Sequence, residues 1–353
     1  MNLGIFLSPG ESLRQMKRTG QDKRFMESYI AAYSKHFEKI YIFSYENETC
    51  ELPSNVLIIP NKTNLPRLMY AFLLPVLKFK KIRDCDVIRG FGLASFLSAI
   101  LLLKPYVFNW AYNYPEVVRK ENKILYVPAY FILERLAFAK AKKVFIATKN
   151  KFNKLKGSKY IYLPNGVNLK RFSYQKTAGK RLVFVGRFER QKNLFFLIEA
   201  ISNLPQKERS ATFIGSGSQE EELRKYASEK GITLKILKPV SNQELPKLLR
   251  QFSIFALTSL AEGSPKALLE AMAIGLVPIV TNFRTAKEVV QDGVNGYIAA
   301  YDVKEYSDKL KFLLRDAKLT KRISQNARQT IIKNFNLDDL ILIEIKVMKQ
   351  IAS

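Results

Sequence analysis

Residues 254–281 read IFALTSLAEGSPKALLEAMAIGLVPIVT, and this stretch decides the fold. Ile254–Thr258 is a short apolar run of the length expected for a buried strand. Ser264 is a good N-cap, Pro265 suits the first helical position and Gly275 is a good stop, so Pro265–Ile274 reads as a short, well-punctuated helix. Val277–Thr281 is a second apolar run. Strand, helix and strand in that order make a βαβ unit, which calls for a parallel sheet covered by helices.

The same alternation extends in both directions. Upstream lie strands at Arg181–Val185, Thr212–Ile214 and Leu234–Leu237, with helices at Asn193–Ile201, Glu220–Lys230 and Gln243–Gln251. Downstream, helices are expected at Val303–Asp316, Leu319–Phe335 and Leu337–Ile351. An earlier series starts with strands at Leu3–Leu7, Lys39–Tyr45, Asn55–Ile59 and Asp86–Arg89. It continues with Tyr106–Trp110, Lys143–Thr148 and Tyr160–Leu163, and a helix is expected over Gly20–Phe37. Phe172–Lys180 is polar and separates the two series. The expected domains are therefore 1–172 and 173–336, with the terminal helix 337–353 packing back on the first. The fold class is α/β, built as two Rossmann-like domains facing a cleft. In such sheets ligands bind beyond the carboxyl ends of the strands.

Of 353 residues, 25% are charged, an ordinary globular share, but the net charge of +27 is not ordinary. Residues 1–180 carry 31 Lys and Arg against 12 Asp and Glu, and residues 181–353 carry 27 against 19. The first half is the cationic half, which suits an anionic partner: nucleic acid, an acidic membrane surface or a phosphorylated substrate. Cys50 and Cys85 stand in unrelated contexts without metal spacing, and His36 is the only histidine, so a multi-histidine metal site is excluded. The start of the chain lacks the pattern of a signal peptide. The longest apolar stretch, Phe91–Leu103, is shorter than the ~20 residues a membrane span needs and reads as a buried helix. Pro66–Arg83 mixes apolar residues with Arg67, Lys78, Lys80, Lys81 and Arg83, a basic amphipathic pattern that can lie on an anionic bilayer.

Glu262 precedes the helix of the opening stretch and Glu270 lies inside it. Carboxylates at these two heights suit sugar and ribose hydroxyls, while backbone N–H groups near Gly263 and Ser264 suit a pyrophosphate. Spacing alone leaves a second reading open, in which Glu262 is an exposed loop charge and Glu270 a solvated helix charge.

The run from Glu262 to Gly275 resembles the E-x7-E signature of retaining glycosyltransferases of family 4, the glycosyl transferases group 1, which have the GT-B fold. Glu288-Val289-Val290 and Asp292-Gly293-Val294-Asn295-Gly296 fit the same pattern. Gly186-Arg187 through Lys192 resembles the family's loop after the first strand of the donor domain. Gly215-Ser216-Gly217 resembles its Gly-x-Gly turn, and Lys238-Pro239-Val240 occupies its base-binding loop. Pro164-Asn165-Gly166-Val167-Asn168 matches a turn read as structural.

The resemblance implies catalytic roles for Glu262, Arg187 and Lys192, with the two cations on the donor diphosphate. It implies donor contacts from Glu270, Gly186, Gly263, Ser264, Pro265, Lys266, Gly215, Gly217, Pro239 and Val240, and from Gly20 at the start of the first domain's helix. The family usually has a histidine after the strand near Tyr106–Phe108. This chain has none there, and Tyr112 or Asn113 would take its place. The activity implied by the resemblance is that of a metal-independent transferase with no cofactor, using a UDP- or GDP-sugar as substrate and a glycan, lipid-linked or phosphorylated acceptor. The expected location is cytoplasmic, with peripheral contact at the inner face of the cell membrane. A sugar-nucleotide epimerase or phosphorylase of the same fold is the nearest alternative. A nucleic-acid-binding protein is a weaker one, because the basic residues form no known nucleic-acid module.

Overall fold

The computed structural model describes residues 1–7, 11–18, 22–90, 93–110, 127–174 and 181–353. Gly20, Tyr112 and Asn113, and most of the polar segment 172–180, lie outside these residues. The chain forms two compact units. One is Met1–Pro164 together with Asp338–Ser353, and the other is Asn165–Leu337. The division falls before residue 172 because Val167 and Phe172 are buried in the second core, and the Val167 N–H donates to the Phe335 carbonyl.

The first unit holds a parallel sheet of β1 (Asn2–Phe6), β2 (Lys39–Phe43), β3 (Val56–Ile59), β4 (Val87–Gly90), β5 (Tyr106–Trp110), β6 (Lys143–Ile146) and β7 (Tyr160–Tyr162). Its strand order is 3-2-1-4-5-6-7. The helices relevant below are α1 (Leu13–Arg18), α2 (residues 22–33), α3 (Arg67–Leu77), α4 (Phe79–Arg83), α5 (Leu93–Leu101) and α6 (Val127–Lys140). The expected helix after β1 is not regular: residues Phe25–Ile30 of α2 are π-helical, and it ends at Tyr33. The basic segment 66–83 is two helices, broken where Lys78 leaves helical geometry. The expected buried helix 91–103 is only half covered. Ser95, Phe96, Ser98 and Ala99 are buried, but Leu101 is exposed and Leu103 is 91% exposed.

The second unit holds β8 (Leu182–Val185), β9 (Ser210–Ile214), β10 (Thr233–Leu237), β11 (Ile254–Leu257), β12 (Val277–Thr281) and β13 (Tyr297–Ala299), ordered 10-9-8-11-12-13. Between them run α7 (Leu194–Ser202), α8 (Glu220–Glu229), α9 (Leu245–Leu249), α10 (Lys266–Ile274) and α11 (Ala286–Val289), followed by α12 (Val303–Arg315) and α13 (Ala317–Asn334). β11 and β12 are fully buried, as continuous apolar strands covered on both faces should be. Asp302 and Asp316 cap α12 and α13 by accepting from the Glu305 and Leu319 N–H groups.

Helix α10 starts one residue later than the sequence suggests. Pro265 is its cap, and no side chain caps it, Ser264 included. A proline has no N–H to satisfy, which reduces the need for a side-chain acceptor. Gly275 ends the helix at φ 103°, a left-handed turn that glycine adopts without strain.

Both sheets follow the Rossmann order, with strand direction reversing its progress beside the first strand of each. In the second unit that switch point lies between β8 and β11, which pair directly. The last helix, α14 (Leu337–Ala352), counts from Asp338 onward with the first unit. There Glu344 accepts from the Tyr33 hydroxyl at 2.7 Å and from Arg89 Nε at 2.6 Å. No helix among the described residues is long and apolar enough to cross a membrane.

Candidate active site

Two loops leave the paired strands at the second unit's switch point: residues 186–193 after β8 and 258–265 after β11. They are stitched together. The Leu260 N–H donates to the Gln191 carbonyl at 2.9 Å, and Gln191 Nε2 donates to the Ala261 carbonyl at 2.6 Å. The Thr258 hydroxyl donates to the Lys192 and Asn193 carbonyls at 3.0 and 3.1 Å. Asn193 takes left-handed geometry at φ 51°, which asparagine tolerates better than most residues, and so turns the chain into α7.

This stitching brings Lys192 and Glu262 into an ion pair, with side chains 16% and 11% exposed. The Ser259 hydroxyl donates to the same Glu262 oxygen at 2.7 Å. The backbone behind is also held. The Glu262 carbonyl accepts from the Thr285 hydroxyl, and the Ser259 carbonyl accepts from the Thr281 and Tyr301 hydroxyls. Of the two readings the sequence left open, the exposed loop charge does not hold for Glu262. Its carboxylate is mostly buried and oriented by a cation and a hydroxyl, the arrangement of a preorganised group.

The other expected residues fall around this pair. Arg187 is exposed on the β8 loop. A Cβ added at Gly263 would meet nothing within 4 Å, so the backbone beside Glu262 is open to approach. Asn165, read from the sequence as part of a plain turn, donates through Nδ2 to the Ser264 carbonyl at 3.2 Å and so positions the entry to α10. Pro265 is buried, and Lys266 is exposed on the first turn. Glu270 is tied to a different loop: its Oε1 accepts from Asn242 Nδ2 at 3.4 Å, and Asn242 Oδ1 accepts from Arg171 Nη1 at 3.0 Å. Asn242 follows β10 in the loop that carries Pro239, which is exposed, and Val240, which packs on the second core.

The glycines are explained differently from the sequence reading. A Cβ on Gly215 would come 1.9 Å from the Gly186 carbonyl oxygen, and one on Gly217 would come 2.3 Å from that of Phe188. Their small size is needed so that the β9 loop can lie against the β8 loop, where the Phe188 N–H donates to the Ser216 carbonyl. Close approach to a ligand is not required to account for them. Among the described residues, no group of three or more His, Cys, Asp or Glu side chains is placed to hold a metal ion.

The model of the family described as glycosyl transferases group 1 matches residues 168–330, which span both loops and the helix between Glu262 and Gly275. Over this segment the chain is similar to that family. Curated relatives include an Escherichia coli UDP-Gal:alpha-D-GlcNAc-diphosphoundecaprenol alpha-1,3-galactosyltransferase, 29% identical over 51% of each chain. A Komagataeibacter xylinus GDP-mannose:cellobiosyl-diphosphopolyprenol alpha-mannosyltransferase is 30% identical over 43% of this chain and 40% of its own. The chain thus matches about half the length of these relatives. Among solved structures, Anabaena Alr3699/HepE in complex with UDP and glucose superposes with TM-score 0.73 at 16% identity, covering 99% of both chains. A Rickettsia africae glycosyltransferase does so with TM-score 0.76 at 16% identity, covering 99% of this chain and 98% of that one. At that identity the likeness speaks to the fold, which is GT-B with two Rossmann-like units.

Ser259, Thr285, Gln191, Asn242 and Arg171 were not singled out from the sequence. For Asn242 a signal existed, because it lies two residues beyond Val240 in a loop already marked. The hydroxyls of Ser259 and Thr285 carried none, being ordinary loop residues until the fold aims them.

Proposed function

We propose that the protein is a retaining glycosyltransferase that moves a sugar from a UDP- or GDP-sugar to a glycan, lipid-linked or phosphorylated acceptor without using a metal ion. The observation that carries this reading is the Lys192–Glu262 pair, fixed by two stitched loops at the carboxyl ends of β8 and β11. Glu262 holds the sugar hydroxyls and orients the anomeric carbon. Arg187, Lys192 and the start of α10 stabilise the negative charge that grows on the diphosphate as it leaves. Glu270 grips the ribose. The bond from the anomeric carbon to the phosphate oxygen breaks, and the acceptor oxygen bonds that carbon from the same face. The acceptor proton passes to the departing phosphate oxygen, so no enzyme nucleophile is needed.

The names of the two relatives support the lipid-linked choice of acceptor, since both include a diphosphopolyprenol-type carrier. The cationic first unit suits such a phosphorylated partner. Cys50 and Cys85 are both free, which suits the cytoplasm, and we place the activity there at the inner face of the cell membrane. The test is a product assay over a panel of UDP- and GDP-sugars with lipid diphosphate acceptors, run with and without chelator. Acceptor-dependent transfer with retained configuration is expected. Epimerised nucleotide sugar or phosphate-dependent cleavage would overturn the reading.

A further inference from the structure

Helix α3 is apolar on two opposite sides. Tyr70, Ala71 and Leu74 face inward and are buried in the first core. Met69, Phe72, Leu73, Val76 and Leu77 repeat at helical spacing on the outer side and are exposed, Phe72 to 53% and Val76 to 65%. A surface helix of a water-facing protein carries polar residues there. The exposure continues sideways. α3 packs on α5 and α5 on α6, and these neighbours leave Leu101, Leu103, Ile132 and Leu136 uncovered. An exposed apolar area spread over three adjoining helices marks an interaction surface.

Charge decides what covers it. No acidic residue occurs from Arg67 to Arg83 or from Leu93 to Lys104. Lys80, Lys81 and Arg83 are exposed on α4, immediately after the apolar stripe. A second copy of the chain would bring two such cationic rims face to face, in molecules each carrying +27. The complement of an apolar stripe with a basic margin is an apolar layer with an anionic margin. α3 has 11 residues, too few to span a bilayer but enough to lie in its surface.

We propose that the α3–α5–α6 face of the first unit docks on an anionic lipid bilayer, with α3 lying in the plane of the surface and the cations of α4 among the lipid phosphates. This deepens the lipid-linked acceptor reading by naming the surface that meets the membrane, but it needs nothing from the donor chemistry.

The test is co-sedimentation of the full chain with phosphatidylglycerol-containing vesicles and with pure phosphatidylcholine vesicles, at low and high salt. Binding to the anionic vesicles at least about tenfold above the neutral ones, reduced by salt, is expected. The Phe72→Ser/Val76→Ser variant should lose about tenfold in partitioning. The Lys80→Glu/Arg83→Glu variant should lose the preference for anionic lipid. All four side chains are exposed, so thermal unfolding should match that of the parent chain. Failure of the parent chain to pellet with anionic vesicles at low salt would overturn the proposal, as would binding indifferent to both variants. A parent that elutes as a dimer, converted to monomer by Phe72→Ser/Val76→Ser, would assign the face to a second copy instead. UDP and GDP binding, measured on the same samples, reports on the donor reading separately.

Discussion

The Lys192 ammonium lies against the Glu262 carboxylate although 70 positions separate them in the chain. The pair joins the ends of two neighbouring strands, and each charge is largely withdrawn from water. Removing one partner therefore has two consequences: it takes a group from the proposed donor site, and it leaves the other charge poorly compensated. Glu262→Ala should lower kcat about a thousandfold, and Lys192→Ala should lower kcat/KM about a hundredfold. Lys192→Ala should also destabilise the fold by about 1–3 kcal/mol, read from urea unfolding. Lys192→Met combined with Glu262→Gln should restore most of that stability and none of the activity. Full activity in either single variant would remove the pair from the mechanism.

Glu270 and Asn242 give a separable effect. Asn242 connects the Glu270 carboxylate to Arg171. Asn242→Ala should raise the donor KM about three- to tenfold, the loss of roughly one hydrogen bond, with kcat little changed. Glu270→Ala should act in the same direction and more strongly. Equal, small effects of Glu262→Ala and Glu270→Ala on kcat would contradict the division of roles between the two carboxylates.

In the first unit, Arg89 and Glu344 form a buried pair beneath Tyr33, with side chains 5% and 1% exposed. Burial alone would lower the Arg89 pKa, but the carboxylate beside it prevails and holds it above the usual arginine value. Burial likewise pushes the Tyr33 hydroxyl well above its ordinary value. Glu344→Ala should cost about 3–5 kcal/mol in chemical unfolding, since it takes the carboxylate from a buried guanidinium. Arg89→Met with Glu344→Leu should cost clearly less than the sum of the single variants. Additive costs would show that the two side chains act independently.

Gly217→Ala tests the glycine reading. The added methyl would press on the Phe188 backbone, which cannot swing aside as a side chain can. We expect a loss of about 1–3 kcal/mol in thermal or urea unfolding whether or not nucleotide is present. Unchanged stability with weakened nucleotide binding would return the glycine to a ligand-facing role.

Cys85 predicts an alkaline weakness. Burial pushes its thiol from 9.0 up to about 12. A group raised in the folded state contributes stability that is full below its unfolded pKa and is lost as pH rises toward the folded one, here between pH 9 and 12. Stability should fall over that window, by up to about 1.4 kcal/mol per pH unit from this one group. Cys85→Ala should flatten the slope, as read by urea unfolding at stepped pH. A thiol reagent at mildly alkaline pH should titrate Cys50 quickly and Cys85 only after denaturation.

Much of the second unit is legible because its sequence is locally consistent. Apolar runs bounded by loops become strands, and Gly275 ends α10 where a left-handed turn is needed. The expected roles of Ser264 and residues 20–37 illustrate the limit. A neighbouring proline changed the cap, and the π-helical turns of α2 belong to a segment whose Tyr29 and Tyr33 both face Arg89.

By itself the sequence determined the two Rossmann-like series, the cationic first half and the short list containing Arg187, Lys192, Glu262 and Glu270. These rest on local periodicity, composition and motif, which the chain carries whether folded or not. Only the tertiary structure decided that Lys192 meets Glu262, that Asn242 reaches Glu270, and that Gly215 and Gly217 serve loop packing. It also showed that the outer stripe of α3 is left uncovered. Each of these depends on which strands lie side by side and what covers each helix, and such long-range pairings leave no periodic trace in the chain.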